Sequence, residues 1–173
     1  MEKLAIQGGS PVIDYEIPNY RNLSGRWIGR SEMEELKKVI SSGTLSFLYG
    51  NKVKEFEAEF ARLYGVKIAV ASSSGTAAIH GALVYLNIGP GDEVILPAIT
   101  DMGSVIPILQ QNAIPIFADI DPENWNIDIN DVKRKLSKRT KAIIAVHLFG
   151  YPCDMDQLVL IGNDNKKAGR RNR

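Results

Sequence analysis

The fold of this chain is decided by Ser72-Ser73-Ser74-Gly75-Thr76-Ala77-Ala78-Ile79-His80-Gly81-Ala82-Leu83, which follows the β-branched, apolar run at 66–71. Apolar residues at helical spacing then continue as far as Leu86. The pattern predicts a strand, a turn of small residues and the N-terminus of a helix. Unpaired backbone N–H groups and the positive end of the helix dipole meet at such a turn. An anion, most often a phosphate, is its natural ligand.

Two interpretations of this turn stay open from the residues alone. Ser74 and Thr76 supply hydroxyl groups, and Gly75 allows a ligand to approach the backbone closely, which favours phosphate binding. Serine also caps helices in many proteins without binding any ligand, so the turn can equally be a plain N-cap. The sequence has neither the Gly-Lys-Ser/Thr ending of a P-loop nor the G-x-G-x-x-G fingerprint of a dinucleotide site.

Strands and helices alternate after the turn. Short apolar runs predict strands at 67–71, 93–96, 114–118 and 142–147, and helical spacing predicts helices at 76–86, 105–111 and 131–136. This alternation is typical of an α/β fold with a mainly parallel sheet and helices on both faces. Ligands of such sheets bind beyond the carboxyl ends of the strands, where we expect 72–77, 97–102 and 147–150 to converge.

Two amphipathic helices are predicted ahead of the sheet. Ser31 and Glu34 have the spacing of a capping box, and Gly43 marks the end of the first helix. The second helix carries an apolar stripe and ends at Gly65. We therefore expect an N-terminal segment at 1–65, a sheet-forming part at 66–158 and a basic, disordered tail at 159–173. The helix-breaking run at 162–165 is the reason for placing the tail there.

A series of further motifs runs along the chain in a fixed order from about residue 28 to residue 158. The motifs are Gly43-Thr44-Leu45, Phe56-Glu57-Ala58-Glu59-Phe60-Ala61, Ser74-Gly75-Thr76-Ala77-Ala78, Gly89-Pro90-Gly91-Asp92-Glu93-Val94-Ile95 with Pro97, Asp119-Ile120-Asp121-Pro122, Asn126-Ile127-Asp128, Arg139-Thr140-Lys141-Ala142-Ile143-Ile144, Val146-His147-Leu148-Phe149-Gly150 and Asp154-Met155-Asp156. Together they resemble the DegT/DnrJ/StrS family of sugar aminotransferases. The resemblance implies the type I aminotransferase fold and the cofactor pyridoxal 5′-phosphate (PLP). It also implies transfer of an amino group from an amino acid to a keto-sugar, usually nucleotide-linked, in the synthesis of cell-surface polysaccharides or antibiotic sugars.

The resemblance also implies roles for individual residues. Gly75, Thr76 and Ala77 match the positions at which the family holds the cofactor phosphate. His147 ends the fourth predicted strand, where it can bind the cofactor or the substrate, or serve only as a structural hydrogen-bonding group.

One site position departs from the family. Most members place an aromatic residue after Thr100, where it stacks on the cofactor ring, and this chain has Asp101 followed by Met102. A carboxylate cannot stack on the ring. Asp101 is therefore assigned either to the hydroxyl groups of the substrate or to the cap of a helix, and Met102 to an apolar contact with the cofactor.

Two groups that transamination requires have no match in the sequence. The Schiff-base lysine and the carboxylate that binds the pyridine nitrogen are expected after residue 156, and from 159 onward the sequence stops resembling the family. We therefore assign no catalytic residue. We expect a truncated, inactive N-terminal part of the large domain, whose full-length form is a homodimer. The alternatives are a non-catalytic phosphate- or nucleotide-binding α/β module and a partner that completes an aminotransferase in trans.

Composition narrows the class of protein further. Five of the 21 basic residues lie at 166–173 and one of the 20 acidic residues at 164, so residues 1–163 carry 16 basic and 19 acidic groups, a net charge of −3. This body has no basic field for nucleic acid. Its apolar runs are too short to cross a membrane, and its first residues have no signal-peptide core. The single cysteine, Cys153, favours a reducing cytoplasm.

Overall fold

Two units make up the part of the chain that the computed structural model describes, which is residues 3–15, 18–19 and 28–170. The first unit is Met1–Ala69 and the second is Val70–Arg173. The first contains a 3-10 turn and two helices, Ala5–Gln7, α1 (Arg30–Ser42) and α2 (Lys52–Leu63). The second contains α3 (Gly75–Tyr85), β1 (Glu93–Pro97), α4 (Met102–Gln110), β2 (Ile114–Ala118), α5 (Ile129–Lys135), β3 (Thr140–Ile143), a 3-10 turn at Leu148–Gly150 and α6 (Met155–Arg170). No helix within the described ranges is long and apolar enough to span a membrane.

The two helices of the first unit are defined by their ends. The N-cap of α1 is Gly29 rather than the predicted Ser31, because the carboxylate of Glu32 accepts the Gly29 N–H at 2.6 Å and thereby closes the helix two residues earlier. Helix α2 ends as its glycine predicts. Gly65 has a φ of 62°, and the Val66 N–H donates to the carbonyl of Ala61 at 3.0 Å, which is a Schellman motif.

The sheet of the second unit has three parallel strands in the order β2-β1-β3. Strand β1 is central, and all five of its residues are buried. Because successive side chains of a strand point to opposite faces, β1 contributes to two separate apolar clusters. Val94 and Leu96 pack with residues of α3 and α4, whereas Ile95 packs with residues of α5 and α6. Helices therefore cover both faces, which confirms the predicted α/β architecture with a parallel sheet.

The outermost predicted strands differ from the structure. Residues 67–71 are not in a strand. β-Branched residues favour a strand only where a neighbouring strand completes the ladder, and the sheet of the second unit consists of β1, β2 and β3. Strand β3 begins at Thr140 and ends at Ile143, instead of continuing to residue 147. The Ile144 N–H still donates to the carbonyl of Ile95 at 2.8 Å, but Pro97, two residues further along β1, has no N–H with which to continue the ladder.

Two helix boundaries also differ from the prediction. Helix α4 begins at Met102 with Asp101 as its N-cap, so Pro107 lies inside the helix and not in its first turn. The backbone of α6 is helical through Arg170, where a disordered tail from residue 159 was expected. The glycine of this stretch, Gly162, is tolerated inside the helix, at a cost of about 1 kcal/mol relative to alanine. Residues 171–173 of the predicted tail lie outside the described part of the chain.

Candidate functional site

The N-terminus of α3 lies in the small-residue turn that the sequence singles out. Ser74 is the N-cap, and its Oγ accepts the Ala77 N–H at 3.1 Å while its carbonyl accepts the Ala78 N–H at 3.0 Å. The N–H groups of Gly75 and Thr76 have no acceptor among the described residues. A Cβ built on Gly75 would have no atom within 4 Å, so the space beside this backbone is open. The turn is a helix cap and also presents two unused donors at the positive end of the helix dipole.

The N-terminus of α4 lies beside that of α3. A Cβ built on Gly103 would be 2.7 Å from Thr76 Oγ1 and 2.8 Å from Asp101 Oδ1. These two oxygen atoms therefore flank the same point on the backbone of α4. The structure thus brings together three parts of the predicted site: Thr76 from the turn before α3, and Asp101 and Met102 from the turn between β1 and α4.

Asp101 takes the capping role that was one of its two predicted alternatives. Its Oδ1 accepts the Gly103 N–H at 2.6 Å, and the side chain is exposed. Met102 is the first residue of α4 and is 57% exposed, so more than half of its surface is open. Both residues follow the carboxyl end of β1, at the edge of the sheet where α/β proteins bind ligands.

His147 follows β3 and points a ring nitrogen at the backbone. Its Nδ1 accepts the Cys153 N–H at 3.0 Å, so a neutral His147 must carry its proton on Nε2. The ring is exposed. The thiol of Cys153 is buried, donates to the carbonyl of Val146 at 3.2 Å and has a pKa above its ordinary value because of that burial. The hydrogen bond with Cys153 gives His147 a structural role, and this bond does not use the Nε2–H.

A residue that the sequence analysis missed as a site component, Asn126, holds the loop that carries His147. Its buried amide donates from Nδ2 to the carbonyls of Tyr151 and Pro152, both at 3.1 Å, and its Oδ1 accepts the Leu148 N–H at 3.3 Å. These three bonds fix the backbone of 148–152 at the carboxyl end of β3. The only sequence signal was the Asn126-Ile127-Asp128 motif, which does not reveal which backbone groups the amide contacts.

The residues of the α3 turn fit the phosphate end of a cofactor such as PLP. Two free N–H groups, the Thr76 hydroxyl and an open space beside Gly75 are the donors and the room that a phosphate requires. Among the described residues, no cluster of histidine, cysteine and acidic side chains has a metal-binding arrangement. The geometry of the turn is therefore that of an anion site.

Comparison of the sequence and of the fold with known proteins identifies relatives in one family. The profile of the DegT/DnrJ/EryC1/StrS aminotransferase family matches residues 27–166, eight residues beyond the limit inferred from the motifs. GDP-perosamine synthase of Escherichia coli O157:H7 is 42% identical over 144 residues, which cover 83% of this chain and 38% of that protein. The aminotransferase from Psychrobacter cryohalolentis superposes with a TM-score of 0.77 at 34% identity, over 80% of this chain and 35% of the other.

A further solved relative carries a cofactor. NtdA from Bacillus subtilis, solved with bound PMP, superposes with a TM-score of 0.77 at 31% identity, over 88% of this chain and 36% of that protein. The chain thus spans a little over a third of the length of the relatives that it matches. The family profile, the sequence identities and the superposed folds agree with one another. The chain belongs to the DegT/DnrJ/EryC1/StrS aminotransferase family.

Proposed function

We propose that this chain supplies the phosphate-binding part of a PLP-dependent aminotransferase that acts on a keto-sugar, with an amino acid as the amino donor. The observation that carries the proposal is the N-terminus of α3, where the N–H groups of Gly75 and Thr76 have no acceptor among the described residues and the space beside the Gly75 backbone is open. The similarity to GDP-perosamine synthase supports a nucleotide-linked keto-sugar, and the PMP in NtdA supports the cofactor. The single cysteine and the similarity to biosynthetic enzymes support a cytoplasmic location.

The residues of this chain would act on the cofactor by binding and orientation. Gly75, Thr76 and Ala77 would hold the phosphate through backbone N–H groups and the Thr76 hydroxyl, at the positive end of α3. When bound, PLP supplies an electron sink through which an amino group can leave the donor and reach the sugar. The active unit is proposed to be a homodimer, as the family resemblance implies.

The other two positions would act at the edges of the cofactor. Asp101 caps α4 through one carboxylate oxygen, and we assign its exposed side to the hydroxyl groups of the substrate. Met102, also exposed, would provide an apolar contact for the cofactor ring. His147, which must carry its proton on Nε2 when neutral, would donate that hydrogen to the cofactor or to the substrate.

The decisive experiment replaces Gly75 with valine and measures the affinity of the protein for PLP. A Cβ at 75 meets nothing in the protein, so the variant should fold normally. It should nevertheless bind PLP much more weakly, because the side chain would occupy the space that the phosphate needs. Gly81→Val is the matched control, since Gly81 lies in the same helix and a Cβ added there also meets no atom within 4 Å. Equal PLP affinity of Gly75→Val and Gly81→Val would refute the proposed site.

A further inference from the structure

Gly103 makes the tightest approach between the two helix N-termini. The Cβ positions of Gly75, Gly81 and Gly162, the other helical glycines of the second unit, have nothing within 4 Å. A Cβ on Gly103, in contrast, would lie 2.7 Å from Thr76 Oγ1, which is shorter than real Cβ atoms tolerate. The same Cβ would lie 2.8 Å from Asp101 Oδ1, so an alanine at this position would force the Thr76 side chain, the Asp101 side chain or the backbone of α4 to move.

Backbone conformation does not explain this glycine. Gly103 does not have a positive φ, so an L-residue could adopt its backbone angles without strain. Its hydrogen bond to Asp101 Oδ1 needs only a backbone N–H, but a Cβ at this position would lie 2.8 Å from the same oxygen. What only glycine provides at this position is the missing side chain, and the atom that takes up the space on the α3 side is the Thr76 hydroxyl oxygen.

We propose that Gly103 is a positioning residue for the cofactor phosphate. It contacts no cofactor atom itself. It allows the Thr76 hydroxyl to lie against the first turn of α4, from where it takes part in binding the phosphate at the N-terminus of α3. The inference rests on the proposed PLP site, and it adds that the site is formed jointly by α3 and α4.

The test compares PLP with pyridoxal, which lacks the phosphate, as ligands of the wild-type chain and of Gly103→Ala. We expect the alanine variant to bind PLP about tenfold more weakly, the effect of losing one well-placed hydrogen bond to a charged group, and to bind pyridoxal unchanged. Gly81→Ala is the matched control and should leave both affinities unchanged. Urea unfolding of each variant shows whether the protein stays folded. A merely structural defect would weaken the binding of both ligands alike.

A double-mutant cycle with Thr76→Ala tests whether Gly103 acts through the hydroxyl. In the Thr76→Ala background, Gly103→Ala should cause no further loss of PLP affinity. The competing explanation is that Gly103 only leaves room for the Asp101 side chain, whose Oδ1 would lie 2.8 Å from the added Cβ. In that case the loss would persist in the double variant, and the inference would be wrong.

The wild-type result separates the two proposals. A wild-type chain that binds PLP no better than pyridoxal would overturn the phosphate site and the inference with it. A wild-type chain that prefers PLP, together with a Gly103→Ala variant of equal preference, would overturn only the role of Gly103.

Discussion

Asp131 Oδ2 accepts the Asp119 N–H at 2.6 Å and so joins the first turn of α5 to the residue that follows β2. The same carboxylate forms ion pairs with Arg134 at 2.9 Å and Lys135 at 2.8 Å. The hydrogen bond from Lys135, followed by that from the Asp119 N–H, lowers the pKa of Asp131 to about 2. Asp131 therefore links the packing of a helix to the ionisation of one side chain.

The unfolding free energy should depend on pH through Asp131. Because its pKa is lower in the folded chain than in the unfolded one, its stabilisation is complete above about pH 4 and is lost as the pH falls through about 2. Asp131→Asn should therefore lower the unfolding free energy at pH 7, and the difference from wild type should shrink towards pH 2. Urea unfolding at a series of pH values measures it. Glu123→Gln, an exposed change in the preceding loop, is the control, and a difference independent of pH would contradict the prediction.

Arg139 should matter because it neutralises a buried carboxylate. Glu93, at the start of β1, is 4% exposed and accepts hydrogen bonds from the Ser137 hydroxyl and, at 2.8 Å, from Arg139 Nε. The Ser137 bond, followed by that from Arg139, lowers the pKa of Glu93. Arg139→Ala should reduce the unfolding free energy at pH 7 by about 1–3 kcal/mol, since it leaves a buried charged group with fewer partners.

Two further variants test whether the loss of unfolding free energy in Arg139→Ala comes from its ion pair with Glu93. Lys141→Ala removes an exposed cation of β3, two residues after Arg139, and should change stability little. Glu93→Gln introduced into Arg139→Ala removes the unpaired charge and should recover part of the stability. A loss equal to that of Lys141→Ala would show that the arginine does not stabilise Glu93.

Asn126 should control the order of the loop at 148–152. Asn126→Asp keeps the shape of the side chain but replaces the two N–H donors with an oxygen that faces the Tyr151 and Pro152 carbonyls. We expect a loss of about 1–3 kcal/mol in unfolding free energy and faster amide hydrogen exchange at Leu148. Asn130→Asp, in the first turn of α5, is the matched exposed control. Unchanged exchange at Leu148 in Asn126→Asp would show that the amide does not hold the loop.

Cys153 should report unfolding of the second unit. The residue is 6% exposed and burial raises the pKa of its thiol, so a thiol reagent at pH 8 should modify the native chain slowly and the urea-unfolded chain rapidly. A cysteine introduced by Ser10→Cys in a Cys153→Ser background is an exposed comparator and should react rapidly in both states. Rapid native labelling of Cys153 would mean that the loop after β3 opens readily.

The central strands could be predicted from sequence because their signal is local. β1 and β2 are short apolar runs bounded by turn residues, and their observed limits lie within one residue of those predicted. Residues 67–71 have the same composition but are not in a strand, because strand formation depends on a neighbour that a local pattern does not contain. The limit of β3 depends likewise on Pro97, a residue of another strand.

In the candidate site, too, features set by neighbouring residues could be predicted, and contacts between residues distant in sequence could not. The α3 turn was predicted, because a cap and a helix N-terminus are encoded by neighbouring residues. The approach of Gly103 to Thr76 was not, because the two residues are far apart in sequence and meet only when α3 packs against α4. The contacts of Asn126 with Tyr151 and Pro152 were missed for the same reason.

Strand β1 separates the two apolar clusters of the second unit from each other. Val94 and Leu96 belong to the cluster with α3 and α4, and Ile95 belongs to the cluster with α5 and α6, so no single side chain of the strand is shared between them. A volume change at Ile95 affects the cluster that contains α5, α6 and also Ala118, Ile127 and Cys153, and not the cluster that contains α3 and α4. The residues of the two clusters can therefore change independently in evolution. Compensating substitutions should occur within one cluster and not across the sheet.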